Sequence, residues 1–469
     1  MMKPLPIVFT LATAVTLAGA ARAQQPTTPP AAPVPAPAPL VNPAARRVTL
    51  AEALALGREY NPSQVQAQQN LRMANMAVTQ AWGAYLPSIS GSGSATRNSS
   101  QRVNQFGVAQ ASSNTDNSSF GLSANLNLFT GFQRGANQRA AEANRELNQA
   151  ALLGQNYATD LNTKQAFFNA LATQELVGVA QANLARSDQQ LKLTTEKLRL
   201  GATTRSDSLS ASVDYGNAEV QLIQARANAL TAQANLARAI GSEGMAAAIP
   251  DTALEIRLQA LDTAAFRRDA EGNAPSVVQA QAGVAATRAT LSANRSQYYP
   301  TLSIGAGQTW AGAQLPWAAA PLNRVVVGTD TSFVRSARYT GTWNVRLSLS
   351  VPIFNNFQRE AGIVNADANY QSAQAKLRDA RIGLDASLTQ ELTALDAAGA
   401  QIDVARTTVA SAQEALRMQR ERYRLGASTI VDLLTAETTL NQAEVGLVQA
   451  RYNYLIARAQ LEALVGHAL

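Results

Sequence analysis

The sequence contains no cysteine and only one histidine, His467, among 469 residues. Without cysteine no disulfide can stabilise the fold, and we expect no lipid anchor on an N-terminal cysteine. A cysteine–histidine metal site and a catalytic triad also lack their parts. His467 is among the last three residues and is expected in a frayed tail. Because a glycine-rich phosphate loop is missing as well, we expect no enzyme activity, no metal and no cofactor.

Long apolar runs are missing after the N-terminus. Residues 1–23 combine Lys3, an apolar run from Ile7 to Ala20 and a small-residue cleavage site, which is typical of a secretory signal peptide. Nothing downstream reaches about 18 uninterrupted apolar residues, so no transmembrane helix is predicted. The chain is expected to be exported, and any residence in a membrane must come from a β-barrel or a surface contact.

Charge is not concentrated in any one segment. The formal net charge is +7, and the basic residues are dispersed along the chain. Nucleic-acid binding needs a basic stripe, often with aromatic residues, and neither is present. We therefore expect a solvated charged surface and no nucleic-acid partner.

Proline is absent between Ser88 and Ile249 and again after Pro352. These gaps are long enough for very long helices. Proline is instead frequent in residues 24–47, a Pro/Ala-rich stretch that we expect to be an extended or disordered linker.

The rest of the chain is a tandem duplication. The stretch EKLRLGATTRSD at 196–207 matches ERYRLGASTIVD at 421–432, and FTGFQR at 129–134 matches FNNFQR at 354–359, both at a spacing of 225 residues. We assign a first repeat to 48–241, a connecting segment to 242–262 and a second repeat to 263–466. The connecting segment, the N-terminal entry and the C-terminus are expected to gather in an equatorial belt.

Each copy reads as helix, two strands, long helix, turn and helix. Residues 120–128 and 343–351 alternate between apolar and polar side chains, which is typical of membrane barrel strands, although a soluble half-buried sheet would alternate too. Residues 98–117 and 311–338 read as exposed loops. Aromatic residues near the strand ends favour the barrel, because a membrane barrel has an aromatic girdle at each of its two membrane interfaces. One group is at the helix–strand junctions: Trp82, Tyr85, Phe129, Phe132, Tyr298, Tyr299, Phe354 and Phe357. Trp310 and Trp343 are toward the far ends of the strands.

The helices carry heptads with a large residue at one seam position and alanine at the other, which predicts close coiled-coil packing. A helix between Phe132 and Leu200 would be about 100 Å long, and we expect each long helix to run beside a stacked pair of short ones. One of these short helices is predicted to span Thr49–Leu86. Four strands cannot close a barrel, so the chain must assemble, with eight strands in a dimer or twelve in a trimer.

This doubled unit, the Tyr-x-x-Gly-x-x-x-Ile-Val-Asp run at Tyr423–Asp432 and the run ARYNYL at Ala450–Leu455 resemble the TolC family of outer-membrane efflux and secretion channels. The resemblance covers roughly Val48–Gly466. It implies a mainly α fold with a membrane β-barrel portion: a homotrimer with a 12-stranded barrel in outer-membrane lipid and a periplasmic α-helical coiled-coil barrel. It further implies a passive exit duct of a tripartite efflux pump or type I secretion system, with a periplasmic adaptor (membrane fusion protein) and an inner-membrane transporter as partners.

The resemblance also implies a periplasmic aperture closed by a hydrogen-bond network and acidic rings. Tyr423 matches the network tyrosine, Asp432 the first ring acid and Asp207 the acidic position of the first copy. The chain departs from the family at Thr435, where the second ring acid is expected, and at Ser428, where the family has an arginine.

A structural role is open for the same aspartates. Thr429 can be a helix N-cap, with Asp432 three residues later as its capping-box partner, and Thr204 and Asp207 repeat this spacing. One residue can both cap a helix and line a pore.

The repeated Arg-Leu-Gly runs read as turns of helical hairpins, with glycine as the C-cap. Only the resemblance implies that these tips dock an adaptor: Arg199, Leu200 and Gly201 in the first copy, and Arg424, Leu425 and Gly426 in the second. It also implies that the second hairpin, which is more apolar after its glycine, closes over the axis. The alternative function is a periplasmic coiled-coil adaptor or scaffold without a membrane barrel, which explains the helices but not the alternating strands.

Overall fold

A computed structural model of the chain describes residues 45–100, 113–250, 263–312, 322–327, 330–335 and 340–467. The predicted signal peptide, nearly all of the predicted linker, residues 251–262 and parts of both predicted loops lie outside these ranges. None of the helices in the described ranges has the length and apolar character needed to cross a membrane.

The elements follow the predicted order in both copies. The helices are α1 Leu50–Tyr60, α2 Pro62–Gly83, α3 Gln133–Arg199, α4 Arg205–Ala239, α5 Thr263–Asn273, α6 Pro275–Arg295, α7 Gln358–Arg424 and α8 Ile430–Val465, with a 3₁₀ turn at Ser296–Tyr298. The strands are β1 Arg46–Val48, β2 Ser88–Ser100, β3 Ser113–Thr130, β4 Ala246–Ala248, β5 Thr301–Gly312, β6 Leu322–Val327, β7 Asp330–Arg335 and β8 Thr340–Ser350.

The two long helices are confirmed. Both α3 and α7 have 67 residues, about 100 Å each. Helices α2 and α4 pack along α3, while α6 and α8 pack along α7. The predicted heptad seam lies in the core between α7 and α8, where Leu388, Ile402 and Leu461 are fully buried. We call α3–α4 the first hairpin and α7–α8 the second hairpin.

The prediction of one short helix over Thr49–Leu86 is wrong. The stretch is two helices, because Pro62 has no N–H to donate and forces the residue before it out of the helical region. Asn61 accordingly has φ −63° and ψ 127°, and its side-chain oxygen accepts from the N–H of Ser63 at 3.0 Å to cap α2. The second copy repeats the break, where Ala274 precedes Pro275 between α5 and α6.

A four-stranded antiparallel sheet, in the order β2-β3-β5-β8, joins the two copies. The predicted alternation is confirmed, and its apolar face is open: Leu122 is 54% exposed and Leu347 is 64% exposed. Within the loop predicted for 98–117, residues 98–100 and 113–117 are strand, because their polar residues pair in register from Asn98↔Thr115 to Ser100↔Ser113, and residues 101–112 lie outside the described ranges. The loop predicted for 311–338 contains the hairpin β6–β7, where the β-branched run at 325–327 favours a strand.

A second, two-stranded sheet lies beside the middle of α3. Strand β1 pairs in parallel with β4, so Arg46 and Arg47, which were expected in the linker, belong to a strand. This pairing occurs because Val48 and Ala246 are fully buried, in one cluster with Phe167 of α3.

The end of α8 also lies at this level. The hydroxyl of Tyr157 in α3 donates to the carbonyl of Gly466. His467, expected in a frayed tail, instead packs its ring on Phe266 with the centroids 5.9 Å apart. Three parts of the chain therefore meet near the midpoint of the long helices. They are the first described strand, β1, the start of the connecting segment with β4, and the end of α8.

Candidate functional site

The tips of the two hairpins are the same turn built twice. Gly201 and Gly426 both have φ +73°, a left-handed conformation that glycine adopts without strain. Around each glycine two backbone bonds close the helix end, as in Ala427 N–H to Arg422 C=O at 2.8 Å and Gly426 N–H to Tyr423 C=O at 3.2 Å. The predicted helical-hairpin turn is present in both copies.

Each tip presents one large apolar side chain to solvent. Leu200 is 73% exposed and Leu425 is 71% exposed. The arginine before each leucine pairs with a glutamate of its own helix, Arg199 with Glu196 at 2.9 Å and Arg424 with Glu421 at 3.0 Å. The tips therefore offer a protruding leucine beside charges that are already paired, which suits contact with another protein.

Asp432 completes a capping box at the start of α8. One of its oxygens accepts from the Thr429 hydroxyl at 2.7 Å and from the Thr429 N–H at 3.0 Å, while its own N–H donates to the Thr429 hydroxyl at 3.2 Å. The hydrogen bond from the Thr429 hydroxyl, supported by that from its N–H, lowers the pKa of Asp432 below its ordinary value. Because Asp432 remains exposed, it carries a negative charge to the surface while it caps the helix.

The first hairpin repeats this box with one change. Asp207 accepts from the Thr203 hydroxyl at 2.6 Å and from the Thr204 N–H at 3.2 Å. The hydrogen bond from Thr203 is the main reason that the pKa of Asp207 lies below its ordinary value. These hydrogen bonds connect Asp207, in the first turn of α4, to the turn residues that follow Gly201.

Tyr423 joins the two hairpins. It is buried beside Leu416, Ile430 and Leu433 of its own hairpin. Lys197 of α3 lies with its Nζ 4.2 Å from the centre of the Tyr423 ring, a cation–π contact. Burial raises the pKa of Tyr423, and the Asp207 carboxylate of the first hairpin raises it further.

Thr435 and Ser428 carry no charge into this region. The Thr435 hydroxyl, on the exposed face of α8, donates to the Val431 carbonyl at 2.8 Å. The Ser428 hydroxyl is buried in the turn. Asp432 is therefore the acidic residue on the exposed first turn of α8.

Three further contacts between the hairpins were not foreseen from the sequence. Arg186 of α3 binds Glu444 of α8 through two hydrogen bonds, at 2.9 and 3.4 Å. The Tyr452 hydroxyl donates to Glu175 at 2.7 Å, and Lys164 pairs with Glu462.

A signal for these contacts was present in the spacing. Lys164, Glu175, Arg186 and Lys197 are 11 residues apart. Eleven residues are three turns of an α-helix, so these side chains form one stripe along α3. All four contact the second hairpin, which makes the stripe the polar seam between the hairpins.

An ion pair between a buried carboxylate and a half-exposed arginine also lies inside the second hairpin. Glu437 is only 3% exposed and accepts from Arg420 at 3.0 Å, which joins α7 to α8. A buried carboxylate is stable only when it is paired, so Arg420 and Glu437 fix the register of the two helices near the tip.

The predicted aromatic residues do gather where helices meet strands. Phe129 and Phe132 pack edge to face at 5.4 Å, Phe132 reaches Tyr299 at 5.7 Å, and Phe354 repeats the first contact with Phe357 at 5.4 Å. Phe132 and Phe357 both have left-handed backbone conformations, φ 66° and 60°, which are rare for aromatic residues. Both copies have the same conformation here, which indicates that it is a specific structural feature of the helix–strand junction.

Tyrosines and a tryptophan extend the same band. Trp82 and Tyr85 lie 5.9 Å apart, and Arg134 stacks on Tyr85 at 4.8 Å. Tyr298 receives Arg359 in the same way, also at 4.8 Å. All the aromatic rings of this band are exposed by roughly a third or more.

Trp310 and Trp343 lie apart from that band, toward the other end of the sheet. Trp310 of β5 is in register with Phe120 and with Gly341, and Trp343 of β8 is in register with Gln308. Trp343 is 76% exposed on the apolar face.

Comparison with known proteins agrees with this architecture. A family model described as outer membrane efflux protein matches residues 54–242 and 267–467. The chain is 24% identical over 428 residues to the outer membrane efflux protein BepC of Brucella suis biovar 1, covering 89% of this chain and 85% of the relative. It is 26% identical over 372 residues to the outer membrane protein TolC of Escherichia coli K12, covering 74% of each.

Solved structures share the fold. The CmeC outer membrane channel of Campylobacter jejuni superposes with a TM-score of 0.70 at 17% identity, covering 89% of this chain and 85% of that chain. The family model spans both copies of the duplicated unit, with its long helices, its sheet and its hairpin tips. The chain therefore belongs to the outer membrane efflux protein family.

Proposed function

We propose that the chain is a passive exit duct in the outer membrane, serving a tripartite efflux pump or a type I secretion system. The observation that carries this proposal is the sheet β2-β3-β5-β8. Its apolar face is exposed and is bordered by aromatic residues, as a lipid-facing surface must be. At one end the same strands continue into the long helices of the two hairpins.

The sheet requires partner copies of the chain. Its edge strands, β2 and β8, have unpaired backbone groups along one side, and such edges are untenable in lipid. Strand β2 starts and β8 ends at the helical side of the sheet, so β8 of one copy can pair antiparallel with β2 of the next. Three copies close a 12-stranded barrel with a lumen, and the six hairpins continue it as a tunnel.

The periplasmic end of the tunnel is formed by the hairpin tips. The exposed leucines Leu200 and Leu425 are the docking surface for a periplasmic adaptor, which links the duct to an inner-membrane transporter. Asp432, on the exposed first turn of α8, supplies a ring of three carboxylates. Three negative charges around one axis favour cations.

The pore role of Asp432 can be separated from its capping role. Asp432→Asn removes the charge, and Asp207→Asn is its matched control, because both residues complete the same capping box. In planar bilayers, Asp432→Asn is expected to lower cation selectivity and block by divalent cations, whereas Asp207→Asn leaves both close to the parent. Equal behaviour of the two variants would reduce Asp432 to a helix cap.

The alternative, a periplasmic coiled-coil adaptor or scaffold, accounts for the helices alone. It gives no reason for a sheet whose apolar face is open to the surroundings. Cell fractionation tests the choice directly: the duct is expected in the outer membrane as a heat-modifiable oligomer. Recovery in the soluble periplasm without such an oligomer would contradict the duct.

A further inference from the structure

The polar face of the four-stranded sheet is made almost entirely of small uncharged side chains. In β5 it presents Ser303, Gly305, Gly307 and Thr309, and in β3 it presents glycine, serine and asparagine. Within the described strands of this sheet, Arg346 of β8 is the one charged residue on that face.

Arg346 has no ion-pair or hydrogen-bond partner among the described residues. It is exposed, and in the register of the sheet it is opposite Gly305, which has no side chain to contact it. The Asn125 oxygen lies over Gly305, and the Asn344 oxygen lies over Gly307. The surroundings of Arg346 are therefore hydroxyl and carboxamide groups, which leave its charge uncompensated.

Closure of the barrel adds no acid beside it. If β8 pairs with β2 of the next copy, the polar face of that neighbour presents Ser88, Ser90, Ser92 and Ser94. Over the whole strand-and-loop portion, residues 88–130 and 301–353, the sequence contains six arginines and only two aspartates. The portion of the duct above the helices is therefore basic.

We propose that Arg346 forms a ring of three guanidinium groups in the lumen of the barrel, and that this ring makes the outer part of the duct favour anionic solutes. The inference rests on the proposed duct, because it requires the polar face of the sheet to line a lumen. An arginine remains charged at any physiological pH, so the ring is a permanent feature of the lumen. Its reach is about 8–10 Å at physiological ionic strength.

The lack of cysteine allows a local measurement of this potential. Ser348→Cys introduces the one thiol of the chain, two residues from Arg346 on the same face and about 7 Å along the strand. The thiol is labelled in outer membranes with an anionic reagent, sulfonatoethyl methanethiosulfonate, and with a cationic one, trimethylammonioethyl methanethiosulfonate. The ratio of the two rates reports the local charge, because the same thiolate attacks the sulfenyl sulfur of either reagent and displaces methanesulfinate, so its pKa cancels.

Arg346→Gln in the Ser348→Cys chain is expected to lower the anionic-to-cationic rate ratio. Coulomb's law in water over about 7 Å, reduced by screening, gives a fall of about fivefold at about 0.01 M ionic strength and about twofold at 0.15 M. Arg346→Lys preserves the charge and is expected to keep the ratio. The Ser348→Cys chain with Arg346 intact should lose its anionic preference as salt increases. If the ratio changed neither with salt concentration nor with Arg346→Gln, the proposed arginine ring would be refuted.

Leu347→Cys separates this inference from the duct itself. Leu347 is adjacent to Ser348 but lies on the apolar face, where lipid is expected, so neither charged reagent should label it readily. Equal labelling at 347 and 348 would contradict the barrel. Labelling at 348 alone, with no dependence on Arg346, would leave the barrel intact and refute the ring.

Discussion

The contact between Arg186 and Glu444 is expected to hold the duct closed. It joins α3 of the first hairpin to α8 of the second, and its two side chains are 16% and 21% exposed. We expect the tunnel mouth to widen by a movement of the second hairpin against the first, which would break this contact. Glu444→Gln removes the charge and keeps the size of the side chain.

The size of the effect follows from the geometry. Two hydrogen bonds between charged, largely buried groups are expected to stabilise the closed arrangement by about 1.5–3 kcal/mol, of which glutamine retains part. A loss of about 1–2 kcal/mol in each copy amounts to about 3–6 kcal/mol when three copies open together. Because about 1.4 kcal/mol is a factor of ten, the open population should increase by about 10²–10⁴-fold.

Single-channel recording in planar bilayers measures this change. Glu444→Gln is expected to increase open time and mean conductance. Glu196→Gln is the matched control, because its pair with Arg199 is exposed on one helix and contributes little. If Glu444→Gln assembled normally and conducted like the parent, the assignment of Arg186 and Glu444 to closure would be refuted.

Two further predictions concern the turns. Gly201→Ala and Gly241→Ala both place a side chain at positive φ, but a Cβ at 241 would lie 2.7 Å from the Tyr60 carbonyl oxygen, whereas nothing lies within 4 Å at 201. We expect Gly201→Ala to lower the stability of the fold by about 1–2 kcal/mol and Gly241→Ala to lower it further. The temperature at which the oligomer dissociates on a gel measures both losses. Equal losses would contradict the close approach of Gly241 to Tyr60. Because the pKa of Asp432 is lowered in the fold, its contribution to capping is complete above pH about 4 and is lost as the pH falls through the lowered pKa. Thr429→Ala removes the hydrogen bonds of the Thr429 hydroxyl with Asp432, so the loss of cation selectivity on acidification should begin at a higher pH in this variant. An unchanged pH profile of selectivity would contradict this prediction.

The elements that are stabilised by residues close together in the chain could be predicted from the sequence. The proline-free stretches and the heptads predicted both long helices, and glycine after Arg-Leu predicted both hairpin turns. The seam residues Leu388 and Ile402 are buried because a heptad places them on one stripe of α7 whatever lies around it. Asp432 could be assigned as a cap for the same reason, since its partner is three residues away.

The contacts that were missed join residues far apart in the chain. Strand β1 exists only because β4, 200 residues later, completes it. Arg186 and Glu444 are 258 residues apart, and no local pattern states which stripe of α3 meets α8. The 11-residue spacing of charges on α3 identifies a stripe but not its partner. The break at Asn61 was different, because Pro62 was visible in the sequence and its effect on the preceding residue is local.

The greater apolarity of the second tip has a structural cause inside its own hairpin. Ile430 and Leu433 are buried against Tyr423 of α7, whereas Val431 and Asp432, between them in sequence, are exposed. In the first copy the positions of Ile430 and Leu433 are Arg205 and Ser208, so the corresponding core is not formed. Apolar residues after the glycine therefore do not identify the hairpin that faces the axis. That assignment depends on the exposed face of α8, where Asp432 lies, and the comparison of Asp432→Asn with Asp207→Asn tests it.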